Sequence, residues 1–408
     1  MYISSFYIVI INMMKRLKAK HLKEQNYIDI VKMLKIGNYS RADLAYNLEL
    51  SKASISVLVD DLINMGIIYE KCDGESSSHG GKKPILLDIN KNIGYFIAIH
   101  FRREICHIAI VNLENEILEE CILDVHIYDD YKRTFEPIIK KINELVSNHK
   151  DKKIFSAGIS VPGKTGKKNN LLIDCMGIPE WNNIPLKKYI EENINIDVIV
   201  DRYACAMLTY NIVEEMKRSM PIQSSSVYVY LSNWIGVSVS NNGKILYGTH
   251  DTAANYSHTI VTDSNYICSC GKKGCWESVA SIKAFMKELS NRDNKYKDLN
   301  FNDIVSSHIN DSIVIDVYKN FLAYWVSIGI YNIINTFDPE IIFIGGEMLY
   351  LGSDFIEEIK NRVHSYNLLT DIRIVENFKE IEIHAAASIS IYDFYMYSLY
   401  RKLRRENM

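Results

Sequence analysis

Three thiols and one imidazole crowd into eighteen residues of a 408-residue chain: His258, Cys268, Cys270 and Cys275. The three cysteines sit in Cys268-Ser269-Cys270-Gly271-Lys272-Lys273-Gly274-Cys275-Trp276-Glu277, and the overall spacing is His-x9-Cys-x-Cys-x4-Cys. A Cys₃His set closes the tetrahedral shell of zinc and leaves no position for a water, so such an ion shapes structure and does no chemistry of its own. Gly271 and Gly274 let the backbone turn tightly enough for three sulfurs to converge. Unligated cysteines in a loop are the alternative. Only three of the chain's eight cysteines cluster, which favours the metal and argues against a disulfide framework.

A second group of residues has the types and spacing for contact with nucleic acid. Ser51, Lys52, Ala53, Ser54 and Ser56 occupy the first turns of an amphipathic stretch whose inward stripe is Ile55, Leu58, Val59, Leu62 and Met65. A recognition helix enters the major groove by its N-terminal end, where these short and cationic side chains would lie. Upstream, Ile28, Ile30, Val31, Leu34 and Ile36 give one helical face ending at Gly37, and Ser40-Arg41-Ala42-Asp43 opens a second helix. Downstream, Ile67–Glu70 and Ile85–Ile89 read as strands around a polar loop tipped by His79-Gly80-Gly81-Lys82-Lys83-Pro84. Helix, turn, helix and a basic wing make a winged helix-turn-helix. Arg41, Lys82 and Lys83 join the candidate DNA contacts. A small protein-interaction module is the competing reading.

The elements that must carry the cysteine cluster follow from Lys91 onward. Strands are expected over Tyr95–His100, Ile105–Val111, Ile117–Leu123, Ile154–Val161 and Val198–Val200. One apolar run, Val227–Val239, should pair with Ile245–Tyr247 across Asn241-Asn242-Gly243. Helices are expected over Phe135–Ser147, Ala204–Arg218 and Phe321–Asn335. This is an α/β pattern of over 300 residues, larger than one core usually manages, so two lobes with a cleft are predicted. The boundaries read as a leader over 1–25, the DNA-binding module over 26–90 and the α/β region over 91–408, with its zinc loop at 258–277. The net charge of −3 confines DNA contact to a local basic patch. Tyr2–Met14 is too short to span a bilayer and its charges follow the apolar run, so no membrane segment or secretory signal is expected and Met13 or Met14 competes as the start. The cluster of free thiolates suits the cytoplasm. The tail after Asp393 reads as a terminal amphipathic helix.

The sequence resembles the ROK family (repressors, open reading frames and sugar kinases) in its transcriptional-repressor branch. The likeness rests on the helix-turn-helix and wing motifs, on Val161-Pro162-Gly163, Trp181-Asn182-Asn183-Ile184-Pro185-Leu186 and Ile344-Gly345-Gly346, and most specifically on the cysteine run with His258 upstream. It implies a two-lobed, actin-like (ribonuclease-H-like) sugar-kinase domain. It also implies a double-stranded DNA operator as partner, a homodimer or homotetramer, and a repressor of carbohydrate genes. Of the family's sugar contacts it implies, His258 and Glu277 remain, and Gly163, Arg202 and Asn255 are expected to join them as effector contacts, with a sugar or sugar phosphate as the ligand.

Departures from the family's kinases bear on catalysis. Their Asp-x-Gly-Gly-Thr phosphate turn falls on His100, Arg102, Arg103 and Glu104, with both glycines replaced by cations. Their Gly-Thr-Gly turn falls on Ser232-Asn233-Trp234. Their catalytic carboxylate falls on Tyr203 in Asp201-Arg202-Tyr203-Ala204-Cys205-Ala206, and a phenol with an ordinary pKa of about 10 is no base at neutral pH. Sliding the register to use Asp201 breaks the helix match that follows. No catalytic residue and no enzyme activity are therefore expected, an active ATP-dependent sugar kinase being the alternative. Asn255 replaces a sugar-binding glutamate, so a vestigial cleft competes with a sensing one. Arg202, with Arg102 or Arg103, offers a phosphorylated sugar or other anion a landing place.

Overall fold

The computed structural model describes residues 22–395, apart from 24, 36, 74–82, 103, 167–169, 176–177, 179, 218–224, 264 and 367–368. Residues 25–35 form helix α1, whose Tyr27, Ile30, Val31 and Leu34 are buried at helical spacing. Helix α2 (Arg41–Asn47) starts at a capping box in which Ser40 and Asp43 satisfy each other's backbone amides. Glu49 takes a left-handed turn with φ 53°, and Ser51 then caps α3 (Lys52–Asn64). Gly66, φ 71°, stops that helix. A three-stranded sheet of order β1-β3-β2 completes the module, from β1 (Tyr39–Ser40), β2 (Ile68–Asp73) and β3 (Ile85–Ile89). The predicted wing tip, with Lys82, lies outside the described residues; Lys83 is exposed at the entry to β3.

The first lobe is a five-stranded sheet of order β10-β7-β4-β5-β6. Strands β4 (Tyr95–Phe101), β5 (Ile105–Asn112) and β6 (Ile117–Asp124) form an antiparallel meander, and β7 (Ile154–Val161) and β10 (Val198–Arg202) add in parallel. Strand β4 is buried along its whole length, as expected for a central strand covered on both faces. Helices α4 (Tyr131–Asn148) and α5 (Leu186–Ile194) cover this lobe. A small hairpin, β8 (Gly163–Gly166) with β9 (Leu171–Cys175), projects from it.

The second lobe has the order β13-β12-β11-β14-β15, from β11 (Ser225–Leu231), β12 (Ile235–Asn241), β13 (Lys244–Ile245), β14 (Ile341–Gly345) and β15 (Asp371–Ile374). The run expected as one strand over Val227–Val239 is two. Ser232-Asn233-Trp234 turns the chain back, closed by the Ser232 N–H on the Trp234 carbonyl at 3.1 Å. Ser232 and Asn233 are a polar break of only two residues between apolar stretches, too short for a window of period or composition to mark. Helix α4 likewise starts a turn before the expected Phe135, because Asp130 caps it.

Helix α6 (Tyr203–Lys217) packs on β11 and β12, the final helix α11 (Phe378–Asp393) packs on β4 and β7, and the two helices pack on each other. Between them come α7 (Trp276–Ala280), α8 (Ile282–Arg292), α9 (Ala323–Phe337) and α10 (Ser353–His364). The stretch Ser312–Phe337 is long and apolar enough to cross a membrane by length and composition, but Val326, Ile330 and Ile333 are fully buried in the second lobe's core. The predicted helix after Asp393 continues into 396–408, outside the described residues.

One core is shared between the helix-turn-helix and the first lobe. Tyr27, Ile30, Val31 and Leu34 cluster with Phe96, Val111, Leu113 and, from the end of the chain, Ile391, Phe394 and Tyr395. Lys35, its side chain 6% exposed, pairs with Glu114 at 2.7 Å and lies over the Tyr395 ring. Helix α11 approaches β7 so closely that a Cβ on Gly158 would stand 2.2 Å from the Ala386 carbonyl oxygen. Gly158→Ala is therefore expected to push a helix off its sheet and to destabilise the fold by about 1–3 kcal/mol, read as a lower urea midpoint.

Candidate functional site

The candidate metal-ligating set converges. The ligand atoms of His258, Cys268, Cys270 and Cys275 all lie within 4.8 Å of one another. Cys270 Sγ is 3.6 Å from Cys275 Sγ, and Cys268 Sγ is 3.5 Å from His258 Nδ1. Bonds of about 2.3 Å to sulfur and about 2.05 Å to nitrogen place tetrahedral edges at roughly 3.8 Å and 3.6 Å, so the four side chains fit a single ion.

Local turns explain the convergence. Gly271 and Gly274 adopt φ 81° and 72°, and a Cβ on Gly274 would meet the Thr262 carbonyl oxygen at 1.8 Å. The chain then enters the core. Trp276 is fully buried, donates from Nε1 to the Trp325 carbonyl at 2.7 Å and leaves room for no side chain at Gly329 of α9.

Glu277 follows at the start of α7. Ser269 Oγ donates to its Oε1 at 2.9 Å, and the Ile235 N–H donates to its Oε2 at 3.3 Å. This glutamate and His258 line a cavity of about 810 Å³ between the lobes. Gly163, Arg202 and Asn255 line it too, so all five residues proposed for an effector share one cleft. Their surroundings divide their roles. Gly163 has φ 143°, and a Cβ there would stand 2.2 Å from the Asp174 carbonyl oxygen, so its glycine lets β8 and β9 approach. Arg202 donates from Nε to Cys205 Sγ at 3.0 Å and from Nη2 to the Ala253 carbonyl at 2.9 Å.

Arg102 also reaches the cleft but forms an ion pair with Glu382 of α11. Glu382 is a hub that sequence reading missed. Tyr203 OH donates to it at 2.9 Å, and His100 Nε2 lies 3.3 Å from its second oxygen. Burial alone would raise this carboxyl. The hydrogen bond and charge of His100, together with Arg102, outweigh burial and hold it below its ordinary 4.5. A depressed carboxyl contributes stability that is present above the unfolded pKa and lost as pH falls through the folded one. The stability gap between the native chain and Glu382→Gln is thus expected to be widest near neutrality and to close below about pH 4.5, in urea titrations at stepped pH.

Tyr203 itself is boxed in. Burial pushes its phenol well up, with Tyr228, Tyr230 and Glu382 adding to the effect, and its ring centroid is 4.3 Å from that of Tyr230. Asp201 is buried and accepts from Tyr247 OH at 2.6 Å, and it does not line this cavity. Trp234 does line it, with the Lys283 ammonium 4.6 Å from its ring centroid. Asp174 of β9 was also missed. Burial raises its carboxyl, against the pull of Lys164 and His258. Arg103 lies outside the described residues.

On the helix-turn-helix, Lys52 and Ala53 are exposed, and Ser56 is half-buried. Ser51 Oγ accepts the Ser54 N–H at 3.1 Å and lies 2.8 Å from Ser54 Oγ, so these hydroxyls serve the cap. Arg41 is held by Asp60 and Glu70 at 2.7 and 2.6 Å. Two large side chains on this module are unexpectedly exposed, Tyr46 at 85% and Val57 at 56%. The helical period placed both outside the inward stripe but assigned them nothing.

Fold and site together define a two-lobed sugar-kinase-like domain with a cleft, preceded by a winged helix-turn-helix. The ROK family profile matches residues 97–381, and the chain belongs to the ROK family. A xylose repressor of Bacillus spizizenii is 28% identical over 339 residues, which span 82% of this chain and 84% of that protein. A glucokinase of Halalkalibacterium halodurans is 27% identical over 242 residues, spanning 55% of this chain and 71% of the enzyme. Among solved structures, a ROK family transcriptional regulator described as a homologue of the E. coli Mlc protein superposes with a TM-score of 0.75. It is 23% identical and covers 94% of this chain and 100% of its own.

Proposed function

We propose that this protein is a DNA-binding transcriptional repressor of carbohydrate genes whose two-lobed domain senses a sugar and has lost kinase activity. One observation carries the reading: the helix-turn-helix and the cleft are two ends of a single packed unit. Helix α11 presents Glu382 to the cleft wall, while Ile391 and the adjoining Phe394 and Tyr395 lie in the core shared with α1. A ligand that redistributes the contacts of Glu382 therefore has a rigid element through which to bias the DNA-binding module. The likeness to a xylose repressor across both parts of the chain supports this, whereas the glucokinase likeness spans only about half. The loss of kinase chemistry is supported by Tyr203 at the position of the base, by Asp201 turned from the cleft, and by the Arg102–Glu382 pair where phosphates would need open backbone amides.

In this reading zinc fills the Cys₃His set and pins Glu277 and His258 to one wall of the cleft. Lys52, Ala53 and Ser56, with Lys82 and Lys83 on the wing, face the operator. Ser51, Ser54 and Arg41 hold the recognition helix in place. The module spans one half-site, so the repressor acts as a homodimer or a dimer of dimers. It works in the cytoplasm. Gel shifts on the DNA upstream of its own gene, with and without D-xylose or D-glucose, test the proposal; absence of any retarded band on that DNA overturns it. ATP-dependent phosphorylation of either sugar above background would overturn the loss of catalysis.

A further inference from the structure

The first two turns of α3 expose Lys52, Ala53, Ser54 and Val57. Val57 is 56% exposed, a branched aliphatic side chain with most of its surface unsheltered. Ala53 and Val57 are four residues apart and therefore neighbours on one face of the helix. Beyond them the helix turns acidic. Asp60 holds Arg41, while Asp61 accepts from Tyr27 and pairs with Lys23. An anionic duplex is therefore met by the N-terminal half, where Lys52 stands and the helix dipole is positive.

Few polar side chains on that half are free to specify a base. The hydroxyls of Ser51 and Ser54 meet at 2.8 Å, and Ser51 Oγ also accepts the Ser54 N–H. Arginine, asparagine and glutamine, the side chains that make bidentate contacts with guanine or adenine, are all missing between Ser51 and Ile63. Arg41, the nearest guanidinium in the sequence, is engaged by Asp60 and Glu70. Lys52 and the half-buried Ser56 remain as polar contacts, and Ala53 and Val57 as apolar ones. The major groove offers one apolar group on a base edge, the C5 methyl of thymine. Ala53 and Val57 are separated by roughly 6 Å along the helix axis, which matches about two base steps of 3.4 Å along a strand.

We propose that Val57, with Ala53 one turn before it, recognises thymine methyl groups in the major groove, so that each operator half-site carries thymines within about two base steps of each other. The inference rests on the DNA-binding reading above and adds a specificity-determining residue and the base it selects. Lys52 and the wing lysines supply attraction to phosphate that is blind to sequence, and the apolar pair supplies discrimination.

The test starts with selection by the full-length protein from a random duplex library long enough for two half-sites one helical turn apart. Fluorescence anisotropy then compares the selected duplex with copies in which each thymine in turn is replaced by uracil, which removes the methyl alone. Uracil at one or more positions in each half-site is expected to weaken native binding by about fourfold, the worth of one buried methyl. In Val57→Ala and Val57→Ser the thymine-to-uracil ratio at one of those positions should fall to about one, with the urea midpoint unchanged because the side chain is exposed. Lys83→Ala should weaken both duplexes alike and keep the native ratio, as a phosphate contact does. Indifference of the native protein to uracil at every thymine overturns the proposal. So does a full native ratio in both folded Val57 variants, or a change in their oligomeric state with the selected sequence retained, which would make Val57 a protein contact. If the native protein enriches no sequence and retards no duplex, the DNA-binding reading itself falls.

Discussion

Replacing Cys270 by serine is expected to strip the chain of its metal and to lower its stability by roughly 4 kcal/mol or more, the range reserved for lost metal or core integrity. The thiol is exposed, so its removal sacrifices little packing, and a loss of that size can come only from the ion. The consequence should spread because the ligands are continuous with the core. Cys275 is followed by fully buried Trp276, wedged against Gly329. Cys268 Sγ lies 3.7 Å from Glu277 Oε1. Loosening the loop therefore disturbs both the second lobe's packing and one wall of the cleft. Elemental analysis should show about one equivalent of zinc in the native chain and a marked deficit in the variant. Urea unfolding should show the lost stability, and sugar titrations a lost response. Unchanged metal content and midpoint would mean that the four side chains meet for some reason other than an ion.

Charge reversal at Lys52 together with Lys83 is the second large effect. Lys52 opens α3 at its exposed N-terminal end, and Lys83 is exposed where the wing returns to the sheet. Neither lies in the core, so the double variant Lys52→Glu, Lys83→Glu should fold with an unchanged urea midpoint. On DNA, each lysine that meets a phosphate contributes about one unit to the salt dependence of binding. Reversal replaces attraction with repulsion, and operator affinity should fall by on the order of a hundredfold. Fluorescence anisotropy across a salt series reads both the affinity and the slope. Retained operator binding would move the DNA-contacting surface elsewhere on the molecule.

Much of this protein was legible in its residues because the signals are local. The inward stripe Ile55, Leu58, Val59 and Leu62 predicts α3, and those side chains are buried. Ser40 and Ser51 announce helix starts, and both cap as expected. The cysteine spacing predicts a convergence, and the four ligand atoms lie within 4.8 Å of one another, with the Cys268–His258 and Cys270–Cys275 separations at tetrahedral distances. Strands Ile154–Val161 and Ile85–Ile89 fall where alternation and apolar runs place them. Local interactions of this kind act over a few residues, so one stretch of chain suffices to specify them.

The partnerships of charge were settled elsewhere. Arg41, Arg102 and Arg202 look alike as free cations in a list of residues, and each finds its partner only through folding. Arg41 meets Asp60 and Glu70 across the helix-turn-helix. Arg102 meets Glu382 from 280 positions away, and Arg202 is enclosed by Cys205 and Ala253. A long-range ion pair has no period and no spacing, because its geometry is fixed by two sheets and two helices packing together. The same holds for Asp174, on a hairpin whose strands are too short to carry a pattern, and for Trp234, in a turn marked by only two polar residues between apolar stretches. The chain's own sequence thus determined the family, the four side chains that converge as candidate metal ligands and the winged helix-turn-helix. Tertiary packing alone decided which charges remain for a ligand, since burial and pairing are properties of the assembled cleft.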